Sequence, residues 1–477
     1  MDYIEGTHRH QSILFPESLE EYVSPENTVR AIDAFVESLD LRALGFAHTA
    51  LNETGRPPYH PAVLLKLYVY GYLNRIRSSR MLEREAQRNV EVMWLTGKLA
   101  PDFKTIANFR KHNRTAIQEV CRAFTTFCRD LDLFRRDLVA IDGSKFKAVN
   151  SRQRNFTDRK LQRALQEIDR KIEAYLDELD ANDTEEPEEP KLTAEQLQEK
   201  IRLLKERMKE YKGLQQRMDE SGESQISLTD PDSRCMPVGG GRITDVGYNL
   251  QVAVDPKHKL IVDHQLTNAV TEKGLLSMMA LRAKQALGVD RLEVLTDMGY
   301  YDGQQVKACL ESGITPYIPK PNTSANTPLG LFGKEDFRYD RRNDCYRCPA
   351  GEQLTFRWQS TEKGRQRRYY TTPACARCSL KPRCTRDPGG RRISRWTYED
   401  LLDEMQRRVR ASPEKMKLRK QLAEHPFGTI KRAWNQGYFL TRGLENVRAE
   451  MSLTILAYNF KRVIKILGVP RMIGALA

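Results

Sequence analysis

The sequence predicts an α/β chain, a mixed sheet preceded and followed by helices. Three observations carry that expectation. Leu138–Ile141 is an apolar, β-branched run that ends on Asp142 and Gly143, as a buried strand does when it delivers a polar group at its carboxyl end. Arg291–Thr296 repeats the form and closes on Asp297 before Gly299. Between and around these runs the apolar period changes from 2 to 3.6, so strands alternate with helices.

At 477 residues the chain has room for about three domains, and 40% apolar residues supply a core. Lys and Arg number 78 against 64 Asp and Glu, a net charge of +14. That surplus favours a polyanionic partner, nucleic acid before a membrane surface. No apolar run reaches the length of a membrane span, and Met1–His10 lacks the apolar core of a signal peptide. Five of nine cysteines fall within residues 345–384, a clustering that suits a metal in a reducing compartment better than a disulfide framework. The expected location is cytoplasmic.

Residues 1–136 read as helical. Val29, Ile32, Phe35, Val36 and Leu39 recur at helical spacing after Ser24-Pro25. Gly55–Pro61 is a rigid connector into Ala62–Leu73, too apolar for a surface helix. Ser79 is placed as the cap of the next short helix, and Asp102 as the cap of Phe103–His112. Short helices with a basic last member, carrying Lys104 and Arg110, fit a helix-turn-helix or a plain packing domain.

The first part of the α/β core is expected over 137–330, and its remainder over 396–477. Within it, 157–216 forms a helical hairpin: Leu161, Leu165, Ile168, Ile172, Tyr175 and Leu179 face Leu197, Ile201, Leu204, Met208 and Tyr211 across an acidic, proline-broken loop. A dimer contact, a DNA contact or neither are its candidate roles. Gly239–Arg242 lacks the Lys-Ser/Thr ending of a P-loop and is read as the chain's return to the sheet. Gly247–Val254, the Asp255–His258 turn and Lys259–His264 form a β-hairpin; a helix over 272–287 and the strand into Asp297 follow. A short helix near Gln304–Leu310 and a strand at Thr315–Pro319 complete an order compatible with a ribonuclease-H-like sheet.

Residues 331–395 change character. Cys345-x2-Cys348 and Cys375-x2-Cys378, with Cys384 beyond, suit a zinc-ribbon-like site for one structural Zn2+. Five cysteines compete for four places. Residues 396–477 return to helix and contain Glu424, on a basic helical stretch with Pro426 two residues later. Asp137, Asp245, Asp255 and Asp302 are rival acids near strand ends or turns; Asp255 is read as a turn residue, Asp302 as a helix cap, and His425 as packing rather than general base.

Several segments together carry a family likeness: Gly55–Pro61, Gly71-Tyr72, Arg77–Arg80, Trp94-Leu95, Pro101–Arg110, Asp142–Asn150, Gly247–Gln251, Asp297–Tyr300 and Glu424–Lys431. In these the chain resembles the DDE transposases of bacterial insertion sequences, specifically the IS-eleven-eighty-two group. The resemblance implies that Asp142, Asp297 and Glu424 hold two Mg2+ ions, with Mn2+ as a substitute. Asp142 would bridge ions roughly 4 Å apart that activate water and stabilise the leaving 3′ oxygen. Strand cleavage would then be followed by attack of the 3′-OH on target DNA. Lys431, seven residues after Glu424, is the implied DNA-contacting partner, and Lys104, Arg110, Lys145 and Lys420 are further candidate DNA contacts. Lys417 and Lys420 stand where the related signature has Tyr and Arg. The implied partners are terminal inverted repeats and target DNA, with a homodimer or higher assembly in the synaptic complex. A catalytically silent DNA-binding relative and a structure-selective nuclease on the same fold are the rival readings.

Overall fold

The structure is a computed structural model describing residues 18–50, 57–151, 154–184, 193–222, 225–238, 243–321, 324, 326–362 and 364–477. Gly55, Gly239–Arg242, Met1–His10 and residues 185–190 of the acidic loop, all used in the sequence reading, lie outside the described residues.

Among the described residues, a 3-10 turn at Leu19–Tyr22 precedes six α-helices: α1 (Thr28–Glu37), α2 (Pro61–Leu73), α3 (Ser79–Arg88), α4 (Val90–Thr96), α5 (Phe103–His112) and α6 (Arg114–Asp130). Pro61 starts α2 at its first position, where the missing N–H costs nothing, and His60 accepts from the Ala62 N–H. Asp102 caps α5 by accepting from the Lys104 and Thr105 N–H groups, as expected. Ser79 differs: it is the first residue of α3, and Ser78 occupies the cap without a side-chain bond. Nearly every residue of α2 is buried, because its all-round apolar surface must be covered on every side.

That cover includes the last long helix. The chain continues through β1 (Leu138–Lys147), β2 (Asn155–Thr157), α7 (Asp158–Thr184), α8 (Ala194–Ser221), β3 (Gln225–Ser227), β4 (Arg234–Val238), β5 (Ile243–Val254), β6 (Ile261–Thr267), α9 (Leu276–Leu287), β7 (Leu292–Leu295), α10 (Gly303–Glu311) and β8 (Ile314–Tyr317). Then follow β9 (Arg338–Asp340), β10 (Cys345–Arg347), β11 (Gln353–Glu362), β12 (Arg365–Thr371), α11 (Lys381–Cys384), β13 (Ile393–Trp396), α12 (Glu399–Ala411), α13 (Pro413–Phe427), α14 (Leu444–Leu467) and α15 (Val469–Gly474). Helix α14 packs against α6, α2 and β6. One contiguous core therefore runs from Val23 through the sheet to Met472. At the strand end of that contact, Asn459 accepts from the Ile261 N–H at 2.9 Å and donates to the Ile261 carbonyl at 2.8 Å, satisfying a buried backbone pair.

The main sheet runs β6–β5–β1–β7–β8, with β4 also paired to the first half of β5. Strand β1 is antiparallel to β5 and parallel to β7, and β7 is parallel to β8. The expected hairpin, crossover helix and third strand are all present. Helix α9 begins at Leu276 rather than at residue 272, which leaves Thr271–Leu275 as a loop. Gly247 permits the β1–β5 ladder to close: a Cβ there would meet the Phe146 carbonyl oxygen at 2.1 Å.

The helical hairpin is present as α7 and α8, joined at its base by the β2–β3 pair. Its apolar seam forms two small clusters of its own, around Leu161 and Leu214 and around Ile168, Ile172 and Ile201. The Cys-rich region is an antiparallel sheet, β13–β12–β11–β10–β9, with a five-residue core of Phe337, Tyr346, Leu354, Tyr370 and Ile393.

Candidate active site

Strands β1 and β7 pair in parallel with Ala140 opposite Leu295. Carried two residues on, that register brings Asp142 level with Asp297 at the carboxyl end of the sheet. Asp142 is mostly buried, and its carboxyl is pushed up to about 6, first by burial and next by the charge of Asp297. One cation and one backbone N–H offset part of this. Arg419 on α13 stands 3.6 Å from Asp142 Oδ2, and the Gly143 N–H donates to Asp142 Oδ1 at 2.8 Å. Asp297 accepts from the Gly299 N–H at 2.9 Å, which fixes the turn after β7.

A third carboxylate, absent from the sequence reading, lies in the loop before α9. Glu272 adds to the rise of the Asp142 carboxyl, and burial first, then the charges of Asp142, Glu272 and Asp297, drives the Tyr300 hydroxyl well above its ordinary range. A Cβ at Gly299 would lie 3.0 Å from Asp297 Oδ1 and 3.6 Å from Glu272 Oε2, so both acids flank that turn. Lys145 pairs with Glu272 at 2.6 Å. Beneath them Tyr300 donates to Gln251 Oε1, and Gln251 donates to Asn249 Oδ1 at 3.0 Å. Both amides are fully buried. This row explains the polar residues of Gly247–Gln251: inside a sheet, they exist to be satisfied by one another. The space over Gly143 is taken by these two side chains.

Glu424 is placed differently. Helix α13 packs on β1 and buries Leu422, Ala423 and Pro426. Arg419 is on that inner face, three, four and seven residues earlier. Glu424 points outward and is exposed. Among the described residues, no three His, Cys, Asp or Glu side chains stand at metal-holding spacing. The structure thus brings Asp142, Asp297 and Glu272 together and leaves Glu424 on the outer side of the neighbouring helix.

Helix α13 runs through Pro426 and then widens into a π-turn over Gly428–Ala433, the irregularity expected near a proline. The turn carries Lys431 inward. Its ammonium donates to Ser144 Oγ at 2.7 Å and to the Lys145 carbonyl, over the Phe146 ring. Burial, with Lys145 nearby, lowers it to about 8. His425 bonds Tyr458 at 2.9 Å and is held neutral by burial, lowered to about 4, as its packing role requires. Asp302 caps α10 and Asp255 makes the β5–β6 turn, so neither rival acid reaches the site.

The other candidate DNA contacts divide by exposure. Lys104 and Lys420 are exposed. Arg110 is drawn in toward the Tyr72 hydroxyl and lies over the Tyr68 ring. Lys145 is engaged by Glu272. Arg77, in the Arg77–Arg80 segment, is also structural. It donates to the Tyr438 carbonyl at 2.9 Å and approaches buried Glu450 at 3.4 Å. Glu450 in turn accepts from the Leu440 and Thr441 N–H groups.

Of the five cysteines, Cys348, Cys375, Cys378 and Cys384 line one pocket. Cys345 is buried within β10 and is not part of that lining. Its neighbours on the paired strands are Thr355 and Asp340. Burial pushes the Cys384 thiol up, and the other three pocket cysteines add to the shift.

Sequence reading missed Glu272 because it sits in an irregular loop with no local signal; only the fold carries it beside Asp297. Arg419 had a signal, its place on the apolar stripe with Leu422 and Pro426.

Two family models match the chain. Residues 17–112 match a Transposase domain (DUF772), and residues 347–464 match a Transposase DDE domain. The first covers α1–α5; the second contains Glu424 and Lys431, while Asp142 and Asp297 lie upstream of it. Searches of the curated proteins and of the solved structures returned no match.

Proposed function

We propose that this chain, which belongs to the DDE transposases of insertion sequences, binds the terminal inverted repeats of its own element, cleaves DNA at the ends and transfers the 3′-OH to target DNA. The observation that carries the reading is the pair Asp142 and Asp297, level on adjacent parallel strands, with the Asp142 carboxyl raised by burial and by its neighbour. Ligand sites in open α/β sheets lie at the carboxyl ends of strands. The order β6–β5–β1–β7–β8 suits a ribonuclease-H-like core, and the +14 net charge suits a DNA partner.

The donor set fits a hard divalent cation. Carboxylate oxygens crowd a place where their mutual repulsion is only partly offset, and a cation would relieve it. Asp142 and Asp297 would hold Mg2+, with Glu424 brought in from α13. Such ions would supply the activation of water and the stabilisation of the leaving oxygen. The chain's own residues do the rest. Gln251, Asn249 and Tyr300 fix the floor under Asp142. Lys431 locks α13 to β1 through Ser144. Lys145 and Arg419 neutralise carboxylates in the resting site and are placed to turn to phosphate oxygens when DNA enters. Helices α3–α5 are the proposed DNA-reading unit, with exposed Lys104 in α5 and exposed Lys420 in α13 as phosphate contacts.

The test is cleavage of a labelled element-end duplex with Mg2+ by the native chain and by Asp142→Asn, Asp297→Asn and Glu424→Gln. Loss of cutting in each variant with unchanged binding supports the reading. Binding without cutting by the native chain favours a DNA-binding relative without catalysis. Cutting without joining of the 3′-OH end favours a nuclease. Survival of cutting in any one variant removes that acid from the triad.

A further inference from the structure

The Cys-rich unit, 331–396, has no use in the carboxylate chemistry, and its own core is five apolar side chains. A unit of that size is usually closed by a crosslink or a metal. Its cysteines come from three separate pieces of chain. Cys348 follows β10 in a tight turn, where the Gly351 N–H donates to the Cys348 carbonyl and the Cys348 N–H to the Glu352 carbonyl, each at 2.9 Å. Cys375 lies within a 3-10 turn over Pro373–Arg377 and Cys378 caps its end, and the Lys381 N–H donates to the Cys378 carbonyl at 3.1 Å. Cys384 ends α11. The chain then returns over Cys375 at Gly390, in the left-handed region at φ +93°. A Cβ there would lie 2.8 Å from Cys375 Cβ and 3.3 Å from its sulfur.

A second observation points at the same place. Arg391, the next residue, lines the pocket with the four cysteines. Its Nε is buried and has no hydrogen-bond partner. A buried N–H without an acceptor is costly, and a metal-bound thiolate is the acceptor that four sulfurs would offer it.

We propose that Cys348, Cys375, Cys378 and Cys384 form a tetrathiolate site for one structural zinc ion, and that Cys345 is not a ligand. Two turns and a helix end bring four soft donors to one pocket, the set that zinc takes in closed, tetrahedral structural sites. Among the described residues no three of these side chains already stand at metal-holding spacing, so loading gathers the four sulfurs lining the pocket to the zinc–sulfur distance of about 2.3 Å. Four thiols lose their protons as the ion binds, so loading releases up to four protons and strengthens with pH. The site pins the root of the β11–β12 ribbon, whose far end reaches the catalytic body where Arg365 pairs with Asp302.

The experiment is metal analysis of the purified full-length chain, grown with zinc and handled without chelator, alongside single Cys→Ser variants. The expected result is one zinc per native chain, its release by a mercurial thiol reagent, and loss of bound zinc in Cys378→Ser and Cys384→Ser. Cys345→Ser should keep one zinc per chain. Should a serine variant fail to fold, mercurial release from the native chain gives the stoichiometry independently. A native chain without zinc, iron in place of zinc, a disulfide among the four, or zinc lost equally from Cys345→Ser overturns the proposal. No DNA is present in this measurement, so its outcome is independent of the transposition reading.

Discussion

Asp142→Asn should make the metal-free protein more stable at pH 8 while abolishing cleavage. A carboxyl moved from 3.8 to about 6 by burial and by Asp297 places about 3 kcal/mol against its ionised form in the folded chain. The sign follows from proton linkage. Between about pH 4 and 6 the folded state holds a proton that the unfolded state has lost. The contribution is therefore favourable below the unfolded value and is lost as pH rises through about 6. Asparagine never ionises and escapes the penalty, and its Oδ1 can still accept from the Gly143 N–H. The attraction of Arg419 at 3.6 Å is already contained in that value of about 6. The net gain is about 3 kcal/mol at pH 8 and about zero at pH 4. Urea unfolding in the presence of a chelator, at both pH values, measures it. Added Mg2+ should then stabilise the native chain more than the variant. A variant less stable than native at pH 8, or equally stabilised at both pH values, would refute the electrostatic argument.

Three other expectations concern the scaffold. Arg77→Ala leaves Glu450 buried without its cation and should cost about 3–5 kcal/mol; limited proteolysis should then cut first near Tyr438–Thr441, and an unchanged cleavage pattern would count against this latch. Gly247→Ala drives a methyl into the Phe146 carbonyl, so it should cost at least about 2 kcal/mol by unfolding, and amide exchange should show β1–β5 opening ahead of the other strands. Joining Thr157 to Gln225 by a short Gly-Ser turn in place of α7 and α8 is allowed because those residues already pair; the shortened chain should unfold within about 1 kcal/mol of the native one. Light scattering on it tests the hairpin's part in assembly, and loss of the core fold would show that the hairpin is not a separate unit.

Much of the architecture is local in origin and could be read before any coordinates. The apolar runs ending on Asp142 and Asp297, the β5–β6 hairpin around Asp255, the amphipathic pair α7 and α8, and the cap at Asp102 each depend on residues within a few positions of one another. Their periods and caps are short-range physics, and the structure keeps them with boundaries moved by a few residues. The family-level motifs were legible for the same reason, as fixed strings of residues.

Other features depend on which strands and helices become neighbours. Only the parallel pairing of β1 with β7 sets Asp142 level with Asp297, and only the path of the loop before α9 carries Glu272 beside them. The rotation of α13 turns Arg419 toward Asp142 and Glu424 away from it, because the apolar stripe of Leu422, Ala423 and Pro426 must face the sheet. The π-turn after Pro426 then brings the Lys431 ammonium onto Ser144 and the Lys145 carbonyl, and pairing within the Cys-rich sheet buries Cys345 while the other four cysteines meet at one pocket. The sequence by itself determined the chemistry available to this protein: its acids, its thiols and its excess of positive charge. The tertiary structure decided which of those groups meet, because burial of an apolar face fixes the orientation of every polar side chain on the same element.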